Sequence, residues 1–361
     1  MASPLRTLRV AGGLRRSLVH RPLRTISTTS GPRKVAISAS GIEITSGSSP
    51  EPKRVTLPSI WLRAEEDVSY RYWGAEIAQD PPTVEYAEVM EESGGEKGVG
   101  TLTKLIREYG FAFVANCPHT PEATEKLLER IAFVRVTHYG GFYDFIPDLA
   151  LADTAYTNLA LPAHTDTTYF TDPAGLQSFH LLSHILPSSA SGKGEELGGQ
   201  SLLVDGIHAA NILRKEDPGA FDILTKVRLP WHASGNQGIT IAPDRRYPVF
   251  ELDEETGEVH RVRWNNDDRG VVPFDGGVSP TDWYDAARKW YSILTRPDIE
   301  YWTQLRPGQP LIFDNWRVLH GRSAFEGVRR ICGGYINRDD FISRWRNTNF
   351  PREKVLSQVI G

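Results

Sequence analysis

Short runs of apolar and β-branched residues recur along this chain, and such runs are typical of β-strands. They lie at residues 34–38, 41–44, 55–63, 111–117, 176–182, 201–204, 259–264, 309–313 and 329–336. Many short strands accompanied by few helices predict a mainly β protein with flanking helices (α+β) and a jelly-roll core.

Helical periodicity, with apolar residues three and four positions apart, occurs in four other segments. They cover residues 101–109, 120–132, 208–227 and 281–294, and the third is interrupted at Pro218-Gly219. In the last segment six residues share one face, which we expect to pack as core: Trp283, Tyr284, Ala287, Trp290, Tyr291 and Leu294. Residues 81–100 are rich in Glu and Gly, so we expect a linker or exposed loop there.

Length and composition describe an ordinary globular enzyme. The chain has 361 residues, 40% of them hydrophobic and 24% charged, which is enough for a sizeable core in one or two domains. No apolar run approaches the ~20 residues of a membrane-spanning helix, so no membrane partner is expected. Cys117 and Cys332 are too few for a disulfide framework or a Cys-rich zinc site, and we expect two buried free thiols.

The N-terminal segment is basic and free of acidic residues. Six arginines alternate with Leu, Val, Ser and Thr before residue 25, and the first acidic residue is Glu43. This composition predicts a mitochondrial transit peptide over residues 1–30. The alternative is a basic tail that binds anionic surfaces. Loss of the six arginines by cleavage would change the net charge from −4 to −10, which argues against nucleic-acid binding.

Candidate metal ligands lie in two separate parts of the chain. His164 and Asp166 belong to one H-x-D tripeptide, a pattern that alone is weak because about one copy is expected by chance. His320 lies far downstream, and Arg329 follows it nine residues later. We expect His320 just past the end of strand 309–313 and Arg329 at the start of the next strand, so that ligand and arginine lie on neighbouring strands.

This set of side chains has a definite chemical use. Two imidazoles and one carboxylate can occupy one face of an iron ion and leave the opposite face open for a keto acid and dioxygen. A guanidinium group can bind the far carboxylate of that keto acid through two parallel hydrogen bonds. The sequence therefore predicts His164, Asp166 and His320 as Fe(II) ligands and Arg329 as the carboxylate-binding residue.

Three runs resemble one family closely: residues 164–170 (HTDTTYF), 198–206 (GGQSLLVDG) and 314–322 (DNWRVLHGR). They are similar to the carnitine-biosynthesis hydroxylases, the family of trimethyllysine and gamma-butyrobetaine dioxygenases, over about residues 101–340. The resemblance implies a double-stranded β-helix (jelly roll), Fe(II), 2-oxoglutarate, O2 and ascorbate as reductant, and the N-terminal segment predicts the mitochondrial matrix as the location. It also implies that Ser201 and Arg322 assist 2-oxoglutarate binding, although an ordinary salt bridge is as good an account of Arg322.

One segment departs from that family. After Trp61-Leu62-Arg63 its members carry a cysteine cluster that binds zinc, whereas this chain continues with residues 64–67 (AEED). We therefore expect no zinc and divide the chain into a transit peptide (1–30), an incomplete N-terminal β domain (31–90) and a catalytic domain (91–361). Because family members dimerise through the N-terminal region, a homodimer stays open.

Four tyrosines correspond to an aromatic cage in the butyrobetaine enzyme: Tyr139, Tyr143, Tyr156 and Tyr335. A trimethylammonium group donates no hydrogen bond, so aromatic rings hold it by cation–π attraction and shape. Each tyrosine alone is more often a core or hydrogen-bonded residue. Their joint placement near the metal motifs favours the cage.

The other end of the substrate distinguishes the two enzymes. Asp153 occupies a position that is an uncharged amide in the butyrobetaine enzyme, and its carboxylate can pair with the α-ammonium of trimethyllysine. Asn265 matches the position that binds the substrate carboxylate. The alternative for Asp153 is a helix or turn cap. The sequence therefore predicts 3-hydroxylation of trimethyllysine; butyrobetaine hydroxylation and a catalytically impaired jelly-roll protein are the alternatives.

Overall fold

The computed structural model describes residues 70–93, 96–146, 158–185, 197–235, 238–273 and 277–357, and the backbone of four strands between residues 24 and 58. The chain divides into two compact units. The first comprises Met1–Asp67 with Pro351–Gly361, and the second comprises Val68–Phe350. Among the described residues, no helix combines the length and apolar character needed to cross a membrane.

The first unit contains one antiparallel sheet in the order β1–β2–β3–β4. Its strands are β1 (Arg24–Thr28), β2 (Gly31–Ser38), β3 (Gly41–Ser46) and β4 (Arg54–Pro58). Ser38 pairs with Gly41, which confirms the hairpin expected from the two strand-like runs. The fourth strand coincides with the start of the predicted run at 55–63, and residues 59–63 lie outside the described residues. The short helix α8 (Arg352–Ser357) belongs to the same unit.

The second unit contains a major and a minor sheet. The major sheet has the order β5–β6–β14–β9–β16–β7, and the minor sheet has the order β13–β10–β15–β8. The major-sheet strands are β5 (Thr83–Glu85), β6 (Phe111–Ala115), β7 (Tyr143–Phe145), β9 (Leu176–Ile185), β14 (Leu311–Asp314) and β16 (Val328–Ile336). The minor-sheet strands are β8 (Leu161–His164), β10 (Ser201–Asp205), β13 (Tyr301–Thr303) and β15 (Val318–Arg322). Strands β11 (Phe250–Leu252) and β12 (Val259–Val262) form a separate hairpin.

The core between these sheets follows the two-residue alternation of each strand. Phe111 and Phe113 of β6 join Leu203 of β10 in one apolar cluster, which therefore contains side chains from both sheets. Ala112 and Val114 point to the other face of the major sheet and pack against helices. This two-sheet core with helices outside confirms the predicted mainly β, α+β jelly roll.

Helices cover the outer faces of both sheets. On the major sheet lie α1 (Tyr86–Met90), α2 (Lys97–Tyr109), α3 (Pro121–Ile131) and α7 (Arg338–Asn349). On the minor sheet lie α4 (Gly206–Glu216), α5 (Pro218–Lys226) and α6 (Pro280–Leu294). Helix α2 ends at Gly110, whose φ of 85° lies in the left-handed region that glycine tolerates.

Two expectations about helices need correction. Residues 81–100 do not form a loop, because Val84, Val89 and Val99 are buried and anchor β5, α1 and α2. The Glu and Gly residues between these valines interrupt the apolar pattern, so the sequence did not predict these elements. In α6 the two tyrosines lie at the edge of the apolar stripe, since Tyr284 is 38% and Tyr291 is 49% exposed. Ala286 and Ile293 occupy the buried face instead.

Several buried polar groups of the second unit have well-defined partners or are held neutral. Arg317 and Asp205 form a fully buried ion pair, with 2.6 Å between Nη2 and Oδ2. Asp205 Oδ1 also accepts from the backbone N–H groups of Ile207 and His208, so the pair connects β10 to the start of α4. Cys117 and Cys332 are free and buried, as expected, and burial raises their thiol pKa values to about 12 and about 11.

His180 of β9 is completely buried and held in its neutral form. Its Nε2 accepts a hydrogen bond from Gly308 N at 3.0 Å. Its Nδ1 lies 2.6 Å from Thr124 Oγ1, and that hydroxyl donates to Thr120 O, so Nδ1 carries the proton. Burial, with a smaller contribution from His119, lowers the pKa of His180 to about 4.

We predict that acidification destabilises the fold through His180. The unfolded chain takes up a proton near pH 6.5, whereas folded His180 resists protonation down to about pH 4. The free energy of unfolding should therefore fall as the pH is lowered through this window, by up to ~3 kcal/mol. Urea unfolding at pH 7, 6 and 5 should show a shallower pH dependence for His180→Gln than for the unchanged chain. His232→Gln, at an exposed histidine, is the control, and identical slopes for all three proteins would contradict the prediction.

Candidate active site

The H-x-D tripeptide lies where β8 ends and the chain turns. Beyond His164 the backbone is held by the side chain of Asn315, which is 1% exposed. Asn315 Oδ1 accepts from Asp166 N at 2.8 Å, and its Nδ2 donates to Asp166 O at 2.9 Å and to Ala174 O at 3.0 Å. The amide thus pairs with Asp166 in both directions and fixes the position of its carboxylate.

Strand pairing brings the two histidines together. In the register of β8 and β15, His320 lies opposite His164, and the ring centroids are 4.3 Å apart. Asp166 Oδ1 is 3.4 Å from His164 Nε2, and Oδ2 is 3.9 Å from His320 Nε2. One ligand atom from each residue lies within 4.8 Å of the others, a grouping found nowhere else among the described His, Cys, Asp and Glu side chains.

The three side chains fit a metal ion. Metal–nitrogen and metal–oxygen bonds of ~2.0–2.2 Å place ligands on one face of an ion ~3–4 Å apart. His164 Nδ1 donates to Pro162 O at 2.8 Å, which leaves the lone pair on Nε2, the atom facing Asp166. Two imidazole nitrogens and one carboxylate are the donor set that Fe(II) oxygenases use, so the structure brings together the three predicted ligands.

The protonation states also suit metal binding. Burial would raise the pKa of the Asp166 carboxyl, but the adjacent imidazoles of His164 and His320 hold it well below its usual range. Burial, with the proximity of His164, lowers the pKa of His320 to about 3. Burial alone would lower the pKa of His164, but Asp166 outweighs it and raises that pKa. A carboxylate and a neutral imidazole are the forms that ligate metals.

His320 lies inside a strand, so the expected position just past a strand end is wrong. The turn between β14 and β15 takes only residues 315–317, and β15 begins at Val318. Arg329 lies on β16 of the major sheet, whereas His320 lies on β15 of the minor sheet. The expectation of neighbouring strands is therefore also wrong, because the chain crosses from one sheet to the other between these residues. Both nevertheless line one cavity.

Arg329 is a buried cation without a counter-ion among the described residues. It is 3% exposed, no described residue accepts a hydrogen bond from it, and its Nε is fully buried without a partner. Burial, together with Arg322, lowers its pKa to about 10. Gly199 makes room for the guanidinium group, since a Cβ at that position would lie 3.2 Å from Arg329 Cζ. A desolvated guanidinium of this kind is suited to a carboxylate ligand.

Ser201 and Arg322 were also expected near the keto acid, and both side chains lie in the same cavity. Ser201 of β10 pairs with Arg322 of β15 in the sheet register. Arg322 Nη2 donates to Leu159 O at 2.9 Å, and its guanidinium lies over the Phe325 ring. Burial lowers the pKa of Arg322 to about 10. Arg322 therefore adds positive charge beside Arg329.

Of the expected substrate residues, Tyr139, Tyr143, Tyr335 and Asn265 line the cavity with the three metal ligands. Tyr156 and Asp153 lie outside the described residues. The hydroxyl of Tyr143 donates to Ser178 O at 2.6 Å, and the hydroxyl of Tyr335 donates to Asp166 Oδ2 at 3.0 Å. Burial, followed by the charge of Asp166, raises the pKa of Tyr335 well above its usual range.

Several cavity residues were not expected from the sequence. They are Phe145, Leu161, Tyr169, Gln177, Phe179, Asp267, Asp268, Leu305, Gly321 and Ile331. Gln177 is 2% exposed, but the run at 176–182 (LQSFHLL) also contains Ser178 and His180, so the sequence did not single it out. The others are ordinary apolar or loop residues that no local pattern distinguishes.

The comparison with protein families now decides the relationship. The family described as "Taurine catabolism dioxygenase TauD, TfdA family" matches residues 66–335, which is about three quarters of the chain. This chain belongs to the TauD/TfdA family of dioxygenases. The family predicted from three short runs is confirmed, as is the prediction of a dioxygenase.

Curated relatives agree. The chain is 63% identical over 323 residues to the trimethyllysine dioxygenase of Neurospora crassa. The match covers 83% of this chain and 68% of that protein. It is 41% identical over 288 residues to the mitochondrial trimethyllysine dioxygenase of Homo sapiens, covering 76% of this chain and 63% of the human protein. The human gamma-butyrobetaine dioxygenase is 28% identical over 282 residues, with 76% and 68% covered.

Among solved structures, a taurine dioxygenase from Burkholderia xenovorans matches with a TM-score of 0.50 and 14% identity. The match covers 74% of this chain and 89% of that one. At this identity the likeness concerns the fold alone, and it agrees with the two-sheet core described above.

We predict that Asn315→Ala loosens the turn that carries Asp166. The substitution leaves Asp166 N–H, Asp166 O and Ala174 O without their partner, which should lower the free energy of unfolding by about 2–4 kcal/mol. Asn266→Ala, at an exposed asparagine, should change it by less than ~0.5 kcal/mol. Urea unfolding of the metal-free proteins measures both. Equal stabilities of the two variants would refute the structural role given to Asn315.

Proposed function

We propose that this chain is an Fe(II)- and 2-oxoglutarate-dependent dioxygenase that hydroxylates N6,N6,N6-trimethyl-L-lysine at C3, the first step of carnitine biosynthesis. Succinate and CO2 are the coproducts. The observation that carries the proposal is that one cavity contains the three candidate ligands, a cation without a counter-ion and several tyrosines. A metal, a dicarboxylate and a quaternary ammonium group would each find a chemically matched partner there.

Different residues would bind the metal ion and the keto acid. His164, Asp166 and His320 would hold iron, which supplies the redox chemistry that couples decarboxylation of 2-oxoglutarate to hydroxylation. Arg329 binds the distal carboxylate of 2-oxoglutarate through its guanidinium, and Ser201 offers a hydroxyl beside it. The apolar surroundings of Arg329, including Phe325 with its ring 5.0 Å from Cζ, exclude water and strengthen that ion pair.

The substrate is held at both ends so that C3 faces the metal. Tyr139, Tyr143 and Tyr335 offer aromatic faces for the trimethylammonium group, and Tyr156 completes the cage by family resemblance. Asn265 binds the substrate carboxylate, and Asp153 pairs with the α-ammonium. Orientation of this kind is the main contribution of the protein, because the metal and keto acid supply the chemistry.

Butyrobetaine hydroxylation is the second candidate. The relatives named trimethyllysine dioxygenase reach 63% and 41% identity, whereas the gamma-butyrobetaine dioxygenase reaches 28%, which favours trimethyllysine. A catalytically impaired protein is the third candidate. The complete triad and the cavity cation both support an active enzyme over this alternative.

Targeting to the mitochondrial matrix is part of the proposal. It is supported by the arginine-rich, acid-free segment at 1–30 and by mammalian relatives that are named mitochondrial. We keep the division into residues 1–30, 31–90 and 91–361, ascorbate as reductant, and the homodimer as parts of the same proposal.

The proposal is tested with the full chain supplied with Fe(II), 2-oxoglutarate, ascorbate and O2. Trimethyllysine should give succinate and a product with one added oxygen at C3, detected by mass spectrometry and NMR. Turnover of butyrobetaine alone would favour the second candidate. Absence of succinate with either substrate, in protein that binds the metal, would favour the third.

We predict that Arg329→Lys weakens 2-oxoglutarate binding about ten- to a hundredfold, because an ammonium cannot form the paired hydrogen bonds of a guanidinium. Metal affinity should stay nearly unchanged. Titration of the Mn(II)-loaded protein with 2-oxoglutarate measures the first, and Mn(II) binding measures the second. Arg330→Lys is the matched control, since Arg330 is exposed and pairs with Asp144. Equal losses of metal and keto-acid affinity in the Arg329 variant would show that the arginine is misassigned.

We predict that Asp153→Asn harms trimethyllysine turnover more than butyrobetaine turnover. Only trimethyllysine presents an α-ammonium, and loss of its charge-assisted hydrogen bond should weaken binding about ten- to a hundredfold. The substitution also removes repulsion of the butyrobetaine carboxylate, so turnover of that substrate should hold steady or rise. Steady-state assays of both proteins with both substrates decide the matter. Proportional losses with the two substrates would mean that Asp153 has a structural role.

A further inference from the structure

The two carboxylate oxygens of Asp166 have different surroundings. Oδ1 lies 3.4 Å from His164 Nε2, the nitrogen with the lone pair, and accepts no hydrogen bond from the described residues. Oδ2 accepts from Gln177 Nε2 at 2.7 Å and from Tyr335 Oη at 3.0 Å. Oδ2 is therefore satisfied by two protein donors, although it also lies 3.9 Å from His320 Nε2, while Oδ1 has no donor within the described part of the chain and faces His164 Nε2.

Both donors are rigidly placed. Gln177 and Tyr335 are 2% and 6% exposed and lie directly opposite each other in the register of β9 and β16. Gln177 is also paired with Phe313 of β14 on its other side, so it sits on a strand bonded on both edges. Strand pairing therefore fixes both backbones, and burial restricts both side chains.

The other end of the Gln177 amide indicates that its role is not simply stability. Gln177 Oε1 is buried and has no hydrogen-bond partner. A buried unsatisfied acceptor costs about 1–3 kcal/mol, whereas an apolar side chain of the same length would avoid that loss. Ser178 Oγ on the same strand is also buried without a partner, so the unpaired oxygen alone does not assign a role to Gln177. The hydrogen bond from Gln177 Nε2 to Asp166 Oδ2 is the contact that does.

We infer that Gln177 and Tyr335 are positioning residues that keep Asp166 a metal ligand through one oxygen, Oδ1, by occupying Oδ2. The inference rests on the proposed function. Two oxygens of a keto acid and one dioxygen need three positions on a six-coordinate metal, so the protein must contribute three atoms and no more. A carboxylate that bound through both oxygens would take one of those positions. The two donors prevent this.

The ring and the hydroxyl of Tyr335 accordingly have different roles, which a substitution can separate. Its ring lines the cavity 6.0 Å from the Tyr143 ring, as a cage residue should, and its hydroxyl holds Asp166. Tyr335→Phe removes the hydroxyl and keeps the ring. Gln177→Met likewise keeps the length of the side chain and removes the donor.

The first measurement is Mn(II) binding to the full chain, without keto acid or substrate. Loss of a group that orients a metal ligand lowers metal affinity ~10–100-fold, and we expect this for both Gln177→Met and Tyr335→Phe. Ser178→Ala is the matched control, because Ser178 is equally buried on the same strand but lies outside the cavity and makes no contact with Asp166. Its Mn(II) affinity should equal that of the unchanged chain. Thermal unfolding of the metal-free variants checks that they fold, and if Gln177→Met does not fold, Tyr335→Phe decides the test.

The second measurement counts the water molecules on bound Mn(II) by water-proton relaxation. The Gln177→Met/Tyr335→Phe double variant should lose roughly one of the three open positions to the freed oxygen of Asp166. Wild-type affinity and relaxation in the folded variants would overturn the inference while leaving the proposed function intact. Failure of the unchanged chain to bind Mn(II), or equal binding by His164→Ala, would overturn both.

Discussion

The site depends on the side-chain amide of Asn315, which makes the hydrogen bonds that a neighbouring strand would otherwise make. Strand β8 ends at His164, so the backbone of Asp166 has no sheet neighbour, and the side chain of Asn315 supplies one donor and one acceptor in its stead. Asn315 belongs to the short turn between β14 and β15, the strands of the major and minor sheets respectively. One side chain thereby fixes the carboxylate relative to His320, which follows on β15.

The two sheets contribute different chemistry to the cavity. The minor sheet presents His164, His320 and Ser201, whereas the major sheet presents Gln177, Arg329 and Tyr335. The apolar cluster between the sheets determines how far apart these two sets lie, since it contains Phe111 and Leu203 from opposite sides. Loss of packing in that cluster would therefore disturb metal and keto-acid binding together.

Much of the fold and of the site could be predicted because the signals are local. Strand runs, the proline that begins α3 and the glycine that ends α2 are properties of a few adjacent residues. His164, Asp166, His320 and Arg329 were recognisable because their residue types and spacing match a known chemistry. The assignment of β15 and β16 to different sheets was not predictable, because strand spacing along the chain does not specify which sheet a strand joins. The partnership of Gln177 and Tyr335 likewise arises only from pairing between strands more than 150 residues apart in sequence.

Strand β16 also limits the length of what the cavity can hold. Arg329 and Tyr335 both line it and lie six residues apart on this one strand, a span of ~20 Å at ~3.3 Å per residue. Ile331 between them faces the same cavity, whereas Arg330 faces solvent. Insertion of one residue between the ends would turn one of them outward, because side chains alternate between faces. The cavity can therefore lengthen along this strand by two residues at a time, or ~6.6 Å, unless a bulge such as the irregularity between Arg330 and Ile331 takes up a single residue.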